Sequence, residues 1–183
     1  MAERVLMGLS LLIAAGGQAV PAGGQCVMDW AEGFHAPGVS GSYPSVDALA
    51  VFDDGSGPAL YVGGDFWSAG ESLQQDIARR DGSTFSSVGD GYLSGPFEAL
   101  AVCDDGSGPA LFAGGQGVWK WDGTSWTSLG LGRVYALAVF DDGSGPALYG
   151  GGTFSLSDGS HCIARWDGTS WSGVGGGVWI YWE

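Results

Sequence analysis

From residue 46 onward, apolar residues fall in short runs closed by Gly, Pro, Asp or Ser, without the spacing of an amphipathic helix. In the first part of the chain the runs at residues 46–52, 59–62, 77–80 and 84–88 predict four short strands. The later run Val134-Tyr135-Ala136-Leu137-Ala138-Val139-Phe140 is apolar on both faces, with small Ala alternating against larger partners. A one-sided sheet would alternate with polar residues, so this strand is expected to be covered on both sides.

The runs belong to an internal repeat. The octapeptide DDGSGPAL begins at Asp53, Asp104 and Asp141, a spacing of 51 and then 37 residues. Each copy sits in a longer frame, ALAV[F/C]DDGSGPAL[Y/F], a Gly-rich step, a variable loop, [I/V]-x-[R/K]-x-DG-[S/T]-x-[F/W] and S-x-[V/L]-G. The difference in spacing falls at residues 65–75, which have no counterpart after Gly115 and are expected to form a surface loop. Asp-Asp-Gly-Ser-Gly supplies residues tolerant of positive φ and carboxylates that cap backbone N–H groups, as a hairpin connection requires. Pro58, Pro109 and Pro146 then open the second strand, where a missing donor does least harm. Asp81-Gly82, Asp122-Gly123 and Asp167-Gly168 mark a second hairpin. Across it, Trp121 is expected to pair with Trp126 and Trp166 with Trp171.

On these motifs the chain resembles the kelch-like β-propeller repeats of large secreted bacterial proteins, whose copies run ALAVFDDGSGPALYVGG and then IARWDGTSWS-x-[LV]-G. The resemblance covers residues 46–177 and is cleanest over residues 136–149 and 163–175. It implies an all-β, propeller-like fold of three four-stranded antiparallel blades plus a partial fourth, and it implies export. Blades are expected over residues 46–96, 97–133 and 134–177, after an N-terminal segment at 23–45. Propellers close with about 4 to 8 blades, so a fourth sheet assembled from residues 28–34 and 178–182, or a ring completed by another copy of the chain, is expected. The WDGTSW segments also resemble in part the Asp-box hairpins of other propellers, in which an acidic side chain braces a turn.

Composition sharpens this picture. The 36 glycines follow no G-X-Y register, which points to tight turns and close backbone approaches. Six Lys and Arg against 20 Asp and Glu give a net charge of -14, which argues against nucleic acid or anionic lipid as a partner. Arg4, an apolar run over residues 5–15 and small residues around Ala19 and Ala22 read as a signal peptide at 1–22. Secretion to the cell exterior or periplasm is expected, with no membrane span after its removal, because no later segment approaches about 20 apolar residues. Gln25 before Cys26 departs from the small residue that usually precedes a lipidated cysteine. Cys26, Cys103 and Cys162 are odd in number and give no disulfide framework. Cys103 takes the place of Phe52 and Phe140 and is expected to be a small buried hydrophobe.

Candidate chemistry is sparse. The paired carboxylates Asp53-Asp54, Asp104-Asp105 and Asp141-Asp142 could gather on one rim and bind calcium, but they lack the D-x-[DN]-x-[DN]-G spacing and distal Glu of an EF-hand. Trp119, Trp121, Trp126, Trp166 and Trp171 could form a sugar-stacking platform, against the alternative of cross-strand packing. His35 and His161 stand beside no nucleophile motif, and the Gly-Gly steps precede no helix that could cradle a phosphate. No catalytic residue and no cofactor is therefore assigned. The expected function is a non-catalytic interaction module whose partner is a protein or glycan. A lectin-like carbohydrate- or calcium-binding propeller is the alternative, and an extracellular hydrolase fragment stands third.

Overall fold

A computed structural model describes residues 38–89, 93 and 95–178. No helix occurs among them, and none is long and apolar enough to cross a membrane. The first copy of the repeat, with the residues before it, forms β1 (Val39–Ser40), β2 (Ser45–Asp53), β3 (Pro58–Asp65), β4 (Ser68–Ala69), β5 (Ser72–Leu73), β6 (Ile77–Arg80) and β7 (Phe85–Ser86). The second gives β8 (Ala99–Asp104), β9 (Pro109–Gly114), β10 (Val118–Trp121) and β11 (Trp126–Gly130). The third gives β12 (Arg133–Asp141), β13 (Pro146–Ser155), β14 (His161–Trp166) and β15 (Trp171–Gly173).

Each copy is one antiparallel sheet of four strands, ordered β2-β3-β6-β7, β8-β9-β10-β11 and β12-β13-β14-β15, and none of them closes into a barrel. Register repeats with the sequence: Phe52 faces Ala59, Cys103 faces Ala110 and Phe140 faces Ala147, so the DDGSG segment crosses the same end of every sheet. Each second strand opens on its proline, as expected. At the second hairpin Trp121 pairs with Trp126 and Trp166 with Trp171, which makes the connection four residues long rather than an Asp-Gly pair alone.

The sheets stack in chain order through two cores. Phe52, Tyr61 and Ile77 of the first sheet pack against Leu111, Ala113 and Trp121 of the second. On the other face of the second sheet, Cys103, Phe112 and Val118 meet Leu148, Ala164 and Trp166 of the third. The closest approach between sheets is made by their first strands, β2 against β8 and β8 against β12. Glycine on the second strand of one sheet seats the start of the next sheet. A Cβ on Gly63 would lie 3.3 Å from Phe97 Cβ, and one on Gly114 would lie 3.0 Å from Val134 Cγ1.

Three findings depart from the sequence reading. Among the described residues only the middle sheet is covered on both faces; Leu49 and Val51 of the first and Phe140 of the third stand exposed at the two ends of the stack. Residues 65–75 are more than a surface loop, because β4 pairs with β1 on one side and with β5 on the other in a small sheet. That sheet buries Phe66 and Ala69 over Val62 and Ala78 while Trp67 and Leu73 stay outside. The run at 84–88 gives a strand of only two residues, because Val88 enters the core toward the second sheet and its carbonyl accepts a bond from Trp126. The strand expected at 28–34 lies outside the described residues. So does the one expected at 178–182, except for Val178, which is not in a strand.

Candidate functional site

The acidic turns are built from two carboxylates with different tasks. The first of each pair braces the loop: Asp53 Oδ1 accepts bonds from the Gly55 and Gly57 amides at 2.9 and 3.0 Å. Asp104 holds Gly106 and Gly108 at 2.9 and 3.0 Å, and Asp141 holds Gly143 and Gly145 at 2.8 and 3.0 Å. The two glycines of each loop have positive φ, from 96° to 110°, which an L side chain resists.

The second carboxylate reaches sideways to a basic residue on the third strand of its own sheet. Asp54 accepts from Ser56 and from the Tyr61 hydroxyl at 2.8 Å, with Arg79 Nε at 3.3 Å. Asp105 takes Lys120 Nζ at 2.7 and 2.6 Å and Ser107 at 2.8 Å. Asp142 takes Ser144 at 2.6 Å and Tyr149 at 2.9 Å, with Arg165 Nε at 3.8 Å. Burial pushes the Asp54 and Asp105 carboxyls up, but these donors outweigh it and both end below the ordinary value. Burial and the Asp54 carboxylate push the Tyr61 hydroxyl well above its usual range, so it stays a donor.

The second copy has Phe112 where the first has Tyr61, so Asp105 receives no tyrosine hydroxyl. Its Oδ2 accepts instead from Trp166 Nε1 of the next sheet at 3.2 Å. The equivalent Trp121 Nε1, facing an Asp54 already occupied by Tyr61 and Arg79, is buried without a partner. The outer tryptophans cross between sheets as well: Trp126 Nε1 donates to the Val88 carbonyl at 2.8 Å and Trp171 Nε1 to the Leu129 carbonyl at 3.1 Å.

The DG turns repeat the bracing device. Asp81, Asp122 and Asp167 each accept two backbone amides, at 3.1 and 3.1 Å, 2.8 and 2.8 Å, and 2.8 and 2.7 Å. The Thr84 and Ser83 amides hold Asp81 down at about 2. The Ser125 amide and the Thr124 hydroxyl hold Asp122 at about 2, and Ser144 does the same for Asp142. Asp167 is drawn far down by Ser170 and Thr169.

The candidate metal ligands are thus brought to one end of their sheets, but each pair is turned to its own loop and counter-ion. Among the described residues no group of three or more His, Cys, Asp and Glu is arranged to hold a metal ion. The candidate stacking residues are not a platform: Trp121 and Trp166 are buried, Trp126 and Trp171 are half-buried against them with ring centroids 5.3 Å apart, and Trp119 packs on the first core. Cys103 is buried, and that burial, with the Asp105 charge, pushes its thiol up.

Sequence reasoning misses two features. One is the set of counter-ions Arg79, Lys120 and Arg165; a basic residue recurring once per copy in a chain holding only six Lys and Arg is the signal that points to them. The other is Ser155 Oγ at 2.7 Å from His161 Nδ1, a cross-strand pair of β13 and β14 that no local motif announces. No family model matches the chain, and comparison with curated proteins and with solved structures gives no match either.

Proposed function

We propose that the chain is a non-catalytic β-propeller module of the cell exterior, a scaffold whose partners are proteins. The observation that carries this reading is the use made of the recurring side chains. Every repeated carboxylate is spent on its own turn, on a cation of its own sheet or on an indole of the next, and the paired tryptophans fill the cores between sheets. A binding or catalytic repeat would instead leave these groups converging on a cleft with unused donors and acceptors. First strands packed against one another, with bulky Trp pairs on the third and fourth strands of the second and third sheets, support a reading of the layers as blades about an axis. The apolar run after Arg4 supports export.

The test is a glycan array read with and without calcium, joined to a calcium titration of the thermal midpoint. The scaffold reading predicts no glycan signal and no calcium-dependent shift. A saturable glycan signal, or a midpoint rising with calcium, would replace it with a lectin-like one.

A further inference from the structure

We infer that the two open faces of the stack are halves of one interface, and that a second copy of this chain occupies them head to tail. The inference rests on the propeller reading and deepens it by naming the partner. The interface is already used twice inside the chain, so equivalent positions show what covers each face.

On the leading face, Phe52 is 4% exposed under the second sheet, whereas the equivalent Phe140 is 59% exposed. On the trailing face, Phe97 and Val134 are both 0% exposed, whereas the equivalent Val46 is 45% exposed. The seats match. Gly63 receives Phe97 and Leu100, and Gly114 receives Val134 and Leu137. The equivalent Gly151 is open toward that side, with Ala136 Cβ at 3.9 Å its nearest neighbour, while Val46 and Leu49 stand uncovered on the first sheet.

The rim repeats the relation. Gly123 packs on the Asp54 carbonyl and Gly168 on the Asp105 carbonyl, but nothing lies within 4 Å of a Cβ on Gly82. Beside Gly82 is a cleft of about 330 Å3 formed by Val51, Pro58, Leu60 and Arg80. Its counterpart between the second and third sheets, formed by Pro146, Leu148 and Trp166, is walled by Asp104 and Asp105 of the preceding sheet.

Charge fits the same occupant. Where the inner interfaces place Trp121 and Trp166, the open face carries Arg80, whose guanidinium lies 5.0 Å over the Phe85 ring. The carboxylate it would meet is Asp142, 42% exposed where the equivalent Asp105 is 4% exposed. A cation on the open trailing face and a half-exposed anion on the open leading face suit each other and repel their own kind. Two copies bring six sheets together, within the range of about 4 to 8 that closes a ring, so the contact ends in a dimer rather than a filament.

Light scattering after size exclusion on the full chain is expected to give twice the chain mass. Arg80→Glu and Asp142→Arg should each weaken dimerisation by about 10-fold or more, as like charges then face each other. Mixing the two variants should restore the dimer, because one contact becomes Glu against Arg and the other keeps the original pair. Leu49→Lys, at a residue 59% exposed in the single chain whose equivalents Leu100 and Leu137 are packed on the inner cores, should give a folded monomer that mixing does not rescue. Near-ultraviolet circular dichroism of each sample reports the packed tryptophans. A wild-type monomer with that signal intact overturns the pairing alone, as does failure of the mixture to associate when both variants are folded. A wild-type chain without the signal overturns the stacked-sheet reading together with it.

Discussion

At the scale of single residues, the repeated aspartates of this protein are turn parts whose charge is favoured by hydrogen-bond donors. The bonds to Asp81, Asp122, Asp142 and Asp167 exist for the ionised carboxylate, so the folded chain holds these groups below the unfolded value of about 3.9. The unfolded chain therefore takes up protons first as pH falls. The stability these groups contribute is complete above the ordinary carboxylate range and is lost as pH falls toward about 2. The thermal midpoint is expected to be level from neutral pH to about 5 and to drop steeply below about 4. Asp122→Asn should lower the midpoint at neutral pH and flatten the drop. These roles follow from local sequence because an Asx turn needs only an Asp and its next few residues; the partners of Asp54, Asp105 and Asp142 lie a strand away, and their identity depends on register.

At the scale of the element, turn glycines of like φ carry different loads. Gly143 has φ of 99° with nothing within 4 Å, so Gly143→Ala should cost only the backbone strain, about 1–3 kcal/mol. Gly123 has φ of 97° and a Cβ there would also sit 2.8 Å from the Asp54 carbonyl, so Gly123→Ala should cost more in denaturant melts. Trp166→Ala removes a buried ring and leaves Asp105 short of a donor, and about 3–5 kcal/mol is expected. The strands, their prolines and their Trp pairs are legible in the sequence because turn chemistry and alternation act over a few residues. The small sheet of β1, β4 and β5 is not, because Val39-Ser40 and Ser68-Ala69 meet across a separation no local pattern spans.

At the scale of the molecule, three near-identical sequences become three unlike environments by their place in the stack. The apolar faces of residues 46–52 and 134–140 predict cover on both sides, and only the middle copy finds it within the described residues. Repetition in sequence announces the layer; the order of layers sets which faces are left over. The indole protons offer the most direct measurement of that order, because each outer tryptophan donates to the copy before its own. In a nitrogen-edited NOE spectrum, Trp126 Hε1 should show contacts to Val88 and Trp171 Hε1 to Leu129, and both should exchange slowly with water. Indole signals that exchange freely, with contacts confined to their own repeat, would contradict the stacked arrangement.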